Sequence, residues 1–345
     1  MTRRWSAALA ATLLLVVSCS DDTSGEDPGD AAATTSSTSS TTAPPATTAD
    51  DTDDEYDFDP GSDDQSSTHR MIEPPEPAIT VLDAGAEPRR ELRLVYEPGS
   101  EQSMTMQMMM AQQLFVDGAP VNPEVELTYS FDIGSRVVEV DDGTATVEMT
   151  YTDFALVDQG PMGPAEVAQF ERTMDGFMGL SFFTTTNDRG ATLRAEIPRD
   201  FPATGVGGVD DMLQEFQTPS VPLPVDAVGV GARWQVEHAP APMADLPMPT
   251  VTEVELLELH DDHVVLRNTA VTTVEPSTVD TPQGSVEFLD GELTNRGTLT
   301  WFFDSVNPAS DIDGEGTMSF VETMGGRQVE AELHQRMQVT STVHD

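Results

Sequence analysis

From Glu91 onward, apolar and polar residues alternate with a period of two through much of the chain. The segments "ELRLVYE", "SMTMQMMMAQQLFV", "EVELTYSFDI", "RVVEV" and "ATVEMTY" predict strands, separated by Gly, Pro, Asn and Asp. One window breaks the rhythm. In "PAEVAQFERTMDGFMGL" (164–180), Val167, Phe170, Met174, Phe177 and Met178 recur at helical spacing. Pro164 suits a first helical turn and Glu166 its positive end. A shorter helix is predicted over Asp210 to Phe216, followed by the proline-rich link "TPSVPLPVD". Strands resume with "ARWQVEH", "TVTEVELLEL", "VVLRNTAVTT", "SVEFLDGEL", "GTLTWFF", "GTMSFVE" and "QVEAELHQRMQVTS". The expected class is mostly β (α+β): a curved antiparallel sheet or half-barrel carrying one or two helices.

The two parts of this pattern look alike. "RVVEV-DDG-TATVEMTYT" aligns with "ELLEL-HDDH-VVLRNTAVTT", "NDRGATL" with "NRGTLT", and "PGSEQSMTMQ" with "VGVGARWQVE". A duplicated β unit is therefore expected, with halves at about residues 90–200 and 226–345. In that alignment His260-Asp261-Asp262-His263 takes the place of the hairpin turn Asp141-Asp142-Gly143, where positive backbone angles are needed. His260 and His263 then flank a two-residue turn and are the candidate metal ligands of the chain. A structural metal site needs about four converging donors. Two histidines alone read as a plain turn.

Met104, Met106, Met108 and Met110 fall on one strand face. Thioethers are soft ligands for Cu(I), which makes copper handling one reading. Methionine also fills accommodating apolar cavities, and its scatter through the rest of the chain favours a ligand-accepting interior. The residues expected to line such a cavity are Met104, Met106, Met108, Met110, Phe170, Met174 and Phe177. Asp311-Ile312-Asp313-Gly314-Glu315-Gly316 echoes part of a calcium loop but lacks its third acid and flanking helices, so it reads as a turn. G-x-S-x-G, H-E-x-x-H and glycine-rich phosphate loops are absent, and a chain without lysine has no Schiff-base or P-loop chemistry. No enzymatic activity and no cofactor are expected.

The first residues, "MTRRWSAALAATLLLVVSC", place Arg3 and Arg4 before an apolar run from Ala7 to Val17. This has the form of a secretory signal (1–18), and Val16-Val17-Ser18-Cys19 resembles a bacterial lipobox. Cys19 is the chain's single cysteine and the expected lipidation site. Lipidation there would hold the protein on the extracytoplasmic side of the cell membrane, with no spanning helix needed. Residues 19–76 read as the lipidated cysteine plus a disordered acidic Thr/Ser-rich tether, and 77–345 as the β-rich domain. The net charge is −45, of which about −32 lies beyond residue 76. A surface so acidic excludes nucleic acid as a partner.

"VDAVGVGARWQV" (Val225–Val236) and "DGEGTMSFVETMGGRQVEAELHQRMQV" (Asp313–Val339) resemble a family of uncharacterised bacterial lipoproteins with a lipobox, a low-complexity tether and a β-rich domain. The shared motifs are turn glycines and strand patterns, so the resemblance implies a fold and an anchor but no catalytic residues. A looser architectural likeness is to half-barrel lipid-carrier lipoproteins, in which helices cap an apolar concavity; the helix at Pro164 to Leu180 would be that cap. Three readings follow: a lipid-anchored envelope protein binding an apolar ligand such as a lipid, a structural or protein-interaction module, and methionine-based copper binding.

Overall fold

A computed structural model describes residues 69–121, 123–198, 221–239, 248–281, 284–324 and 327–344. The signal segment, Cys19, most of the tether and the helix predicted over Asp210 to Phe216 lie outside the described residues. The first part contains β1 (His69–Ile72), β2 (Ala78–Asp83), β3 (Glu101–Val116), β4 (Ala119–Pro120), β5 (Val125–Asp141), β6 (Thr144–Asp158), α1 (Pro164–Asp175), β7 (Ser181–Asn187) and β8 (Thr192–Pro198). The second contains β9 (Arg233–His238), β10 (Thr250–Leu259), β11 (His263–Val274), β12 (Ser277–Thr281), β13 (Gly284–Phe302), β14 (Ala309–Met324) and β15 (Arg327–His344).

All 15 strands join one antiparallel sheet in the order β1-β8-β7-β6-β5-β3-β15-β14-β13-β11-β10-β9-β2, with β12 on β13 and β4 on β3. The sheet is open rather than closed into a barrel. Laid flat, thirteen strands at the usual spacing would put β1 and β2 about 58 Å apart. Yet only residues 73–77 separate these two edges in the chain, and such a link reaches at most about 22 Å. The sheet must therefore curl until its edges approach. The mostly β class and the curved antiparallel sheet expected from the pattern are what the chain forms.

Curling brings the two wings into contact at one end. There Val137 and Val147 of β5 and β6 share a core with Trp234, Val254, Leu256, Val264, Leu266, Leu299 and Trp301 of β9, β10, β11 and β13. A Cβ placed on Gly190, whose φ is +81°, would lie 2.1 Å from the Trp301 ring, so the β7–β8 turn accepts only glycine beneath the indole. The strand predicted at "ELRLVYE" is instead a crossing segment. Its period of two buries Leu92, Leu94 and Tyr96. Its backbone bonds to both wings, through Leu94 N to Asp188 O (2.7 Å) and Val95 N to Phe303 O (2.6 Å). It spans the end of the sheet rather than extending its ladder.

Three other expectations are corrected. "SVEFLDGEL" and "GTLTWFF" fall in one strand, β13, which runs through the intervening Thr294-Asn295-Arg296 and ends at Phe302. Asp311 to Gly316 is no turn but the interior of β14, with exposed acids alternating with inward residues. A strand also falls within the predicted tether: β1 pairs with β8 from His69↔Pro198 to Ile72↔Ala195, since backbone pairing needs little apolar side chain. Of the aligned segments, residues 187–193 make the β7–β8 turn, whereas residues 295–300 run through β13. The Asp142-Gly143 turn takes the positive angles predicted for it (φ 42° and 81°).

Candidate functional site on the concave face

Register places matching side chains of successive strands in rows across the inner face. One row runs Asn268, Gly297, Ile312, Val339, Met108, Tyr129. The next runs Asn295, Gly314, Met337, Met110, Leu127. These rows lie between the wing-to-wing core at one end and a second cluster toward the other, formed by Leu114, Phe320, Ala331 and Leu333. Ile312, Val339, Met337, Met108 and Met110 are half-buried there, unlike the sealed clusters on either side.

All seven cavity residues expected from sequence meet at this face. Met104 and Met106 pack on the cluster of Ile133, Tyr151, Phe177 and Phe182, which Met174 also joins. The Tyr129 hydroxyl donates to Met108 Sδ at 2.8 Å and Met110 Sδ at 3.4 Å. Phe170 reaches the same tyrosine edge-on, with ring centres 6.0 Å apart, and touches Phe154 at 5.7 Å. Helix α1 makes this possible. Gly163 N donates to Glu166 Oε2 at 2.6 Å to start it, and Pro164 opens its first turn. β7 pairs with β6 only over residues 144–150, and the helix packs against the stretch of β6 beyond. It ends at Asp175, short of the predicted Leu180, and Phe177 follows in the turn after it.

Sequence reasoning missed the other half of the site. Tyr129, Phe131 and Tyr151 form its aromatic wall, with Tyr129–Phe131 at 5.4 Å and Phe131–Tyr151 at 5.5 Å. Their own period of two was visible; their apposition to the methionines depends on β3–β5 register. The polar members were missed altogether. Asn268 and Asn295 are only 5% and 8% exposed, yet the side-chain carbonyl oxygen of each has no hydrogen-bond partner. Gln112 Oε1, one row further on, is likewise buried and unpaired. Leaving such a group unpaired costs about 1–3 kcal/mol. Nearby hydroxyls on the same face satisfy one another across strands, Thr250 with Thr272 and Ser310 with Ser341, each at 2.8 Å.

His260 and His263 do flank a two-residue turn, closed by His260 N donating to His263 O at 2.9 Å. Among described non-glycine residues only Asp117 and Asp142 take positive φ, so Asp261 and Asp262 turn the chain without the angles expected there. The imidazoles stack at 4.3 Å and 16°. Each addresses its own carboxylate: His260 Nε2 lies 2.9 Å from Glu258 and His263 Nδ1 2.8 Å from Asp262. The hydrogen bond from His263 holds the Asp262 carboxyl below its ordinary range. Stacked rings do not aim two nitrogens at one point, and no group of three or more His, Cys, Asp or Glu among the described residues could hold a metal.

No family model matches the chain, and no curated protein matches it. Several solved structures share stretches of its strand pattern. One described as "Asymmetric conductivity of engineered proteins" is 10% identical, with a TM-score of 0.22, covering 69% of this chain and 99% of its own. A mutant of the Rh. blastica porin is 8% identical at TM-score 0.22, over 69% and 99% of the two chains. The COG4313 outer membrane channel from Pseudomonas putida F1 is 8% identical at TM-score 0.17, over 72% and 98%. Scores this low carry no argument about fold or function. A membrane-spanning barrel needs an apolar outward band. Here the outward positions of the long strands include Asp311, Asp313, Glu315, Glu330 and Glu332, all exposed.

Proposed function

We propose that this is a lipid-anchored protein of the cell envelope whose curled sheet binds an apolar ligand, such as a lipid, on its concave face. The observation that carries the reading is the half-buried methionine row of β3, set beside the aromatic residues of β5 on the same sheet face. Methionine accommodates varied apolar shapes, and a concave apolar surface with few polar groups is what such ligands use. The acidic outer face, with Asp311, Asp313 and Glu315 in one strand, favours a second reading as a protein-interaction module. Native mass spectrometry of the full chain purified from its own host separates the two. Co-purifying lipid is the expected result. An apo mass, together with failure to take up any lipid offered, would overturn the ligand reading.

A further inference from the structure

We propose that Asn268 and Asn295 receive the neutral, hydroxyl-bearing head of an amphiphile whose tail lies along the Met108 and Met110 rows. The proposal rests on the apolar-ligand reading and names the ligand class. Both asparagines are more than nine-tenths buried on the inner face, and each leaves a carbonyl oxygen unpaired. A buried acceptor of this kind is completed by an O–H or N–H donor.

Their placement is diagonal across one strand pair, since Asn268 faces Gly297 and Ala270 faces Asn295. Two acceptors so arranged suit a head with two adjacent donors, as a diol has. From each, the register row toward β3 runs without a charged residue to the methionines. A charged head would therefore be desolvated there without a counter-ion, whereas a neutral polyol would not. Glycines shape the path. The Asn295 amide lies across Gly314, where a Cβ would come within 2.2 Å of its Oδ1, and Gly297 leaves room for Ile312. From Asn268 to Tyr129 the row crosses five strand spacings, about 24 Å along the sheet. That matches an extended long-chain acyl tail.

The test compares two ligands with the same acyl chain on the full-length protein: a monoacylglycerol, with two free hydroxyls, and the fatty acid methyl ester, which only accepts hydrogen bonds. Each displaces an apolar fluorescent probe. Wild type should bind the monoacylglycerol about tenfold more tightly than the ester. Asn268→Leu and Asn295→Leu should each bring monoacylglycerol affinity down toward that of the ester. Equal affinity of wild type for both ligands overturns the head-group assignment but leaves the apolar-ligand reading standing. Preference that survives both substitutions also overturns it. Failure of wild type to bind either ligand overturns both. The wild-type comparison is decisive even if a variant does not fold.

Discussion

Tyr96 lies at the sealed end, where burial, and to a lesser degree Asp188, push its phenol up to about 12 against the hydrogen bond from Thr186. The unfolded value is about 10. A folded-state pKa above the unfolded one means that the contribution is complete below pH 10. It is lost as pH climbs toward 12. The loss is ~2–3 kcal/mol at most. Urea unfolding at pH 8 and pH 11 should show wild type losing more stability between the two than Tyr96→Phe; parallel losses would disprove this. The stacked histidines lead to a smaller expectation. Replacing His260 and His263 by Asn should alter stability by no more than about 0.5 kcal/mol, as exposed substitutions usually do. Asp262 should then titrate nearer its ordinary value by NMR, because its hydrogen bond from His263 is gone. A large drop in melting temperature, reproduced by chelator treatment of wild type, would restore the metal reading.

Strand β3 offers the element-scale test. Met106 and Met108 are only half-buried, so Met106→Leu and Met108→Leu, which nearly conserve volume, should each cost less than about 1.5 kcal/mol. Leucine offers no sulfur, so any Cu(I) affinity of the wild type should vanish in the double variant if copper is the ligand. Thermal melts and a Cu(I) competition titration check both statements. The same strand marks how far the sequence could be read. The period of two put Met104 to Met110 on one strand face, and helical spacing put Phe170 and Met174 on one helix, with Phe177 in the turn after it. Both are local signals. That the two faces meet follows from β3–β5 pairing and the return of α1, which no local pattern encodes. The asparagines illustrate the limit more sharply. Asn268 lies inside "VVLRNTAVTT" and Asn295 two residues before Gly297, and nothing in either local pattern marks the asparagine as buried. Only the register from β11 to β5 aligns them with Met108 and Met110. Likewise, "ELRLVYE" has a strand's alternation but crosses the end of the sheet, because burial of alternate residues does not require a ladder.

At the scale of the whole molecule, the single cysteine follows an apolar run and the net charge is −45. If Cys19 carries the anchor, Cys19→Ala should move the chain out of the membrane fraction or leave its leader uncleaved; normal processing with membrane retention would contradict the lipobox. The apolar ligand is the central claim, and Met108 is the place to test it. Wild-type full-length protein should bind an apolar fluorescent probe saturably. Met108→Asp puts a carboxylate beside Tyr129 and Val339 on the concave face, with no cation among its register partners. If that face is an open binding surface, the variant should lose probe binding while retaining a cooperative melt, because the new charge can remain hydrated. If Met108 instead belongs to a solid core, the buried charge should unfold the domain. The direct measurement is therefore a probe titration of wild type and Met108→Asp, with melting curves recorded on the same samples. Saturable wild-type binding, lost in a folded variant, is the predicted result; a wild type that binds no probe, or a variant that fails to fold, would contradict it.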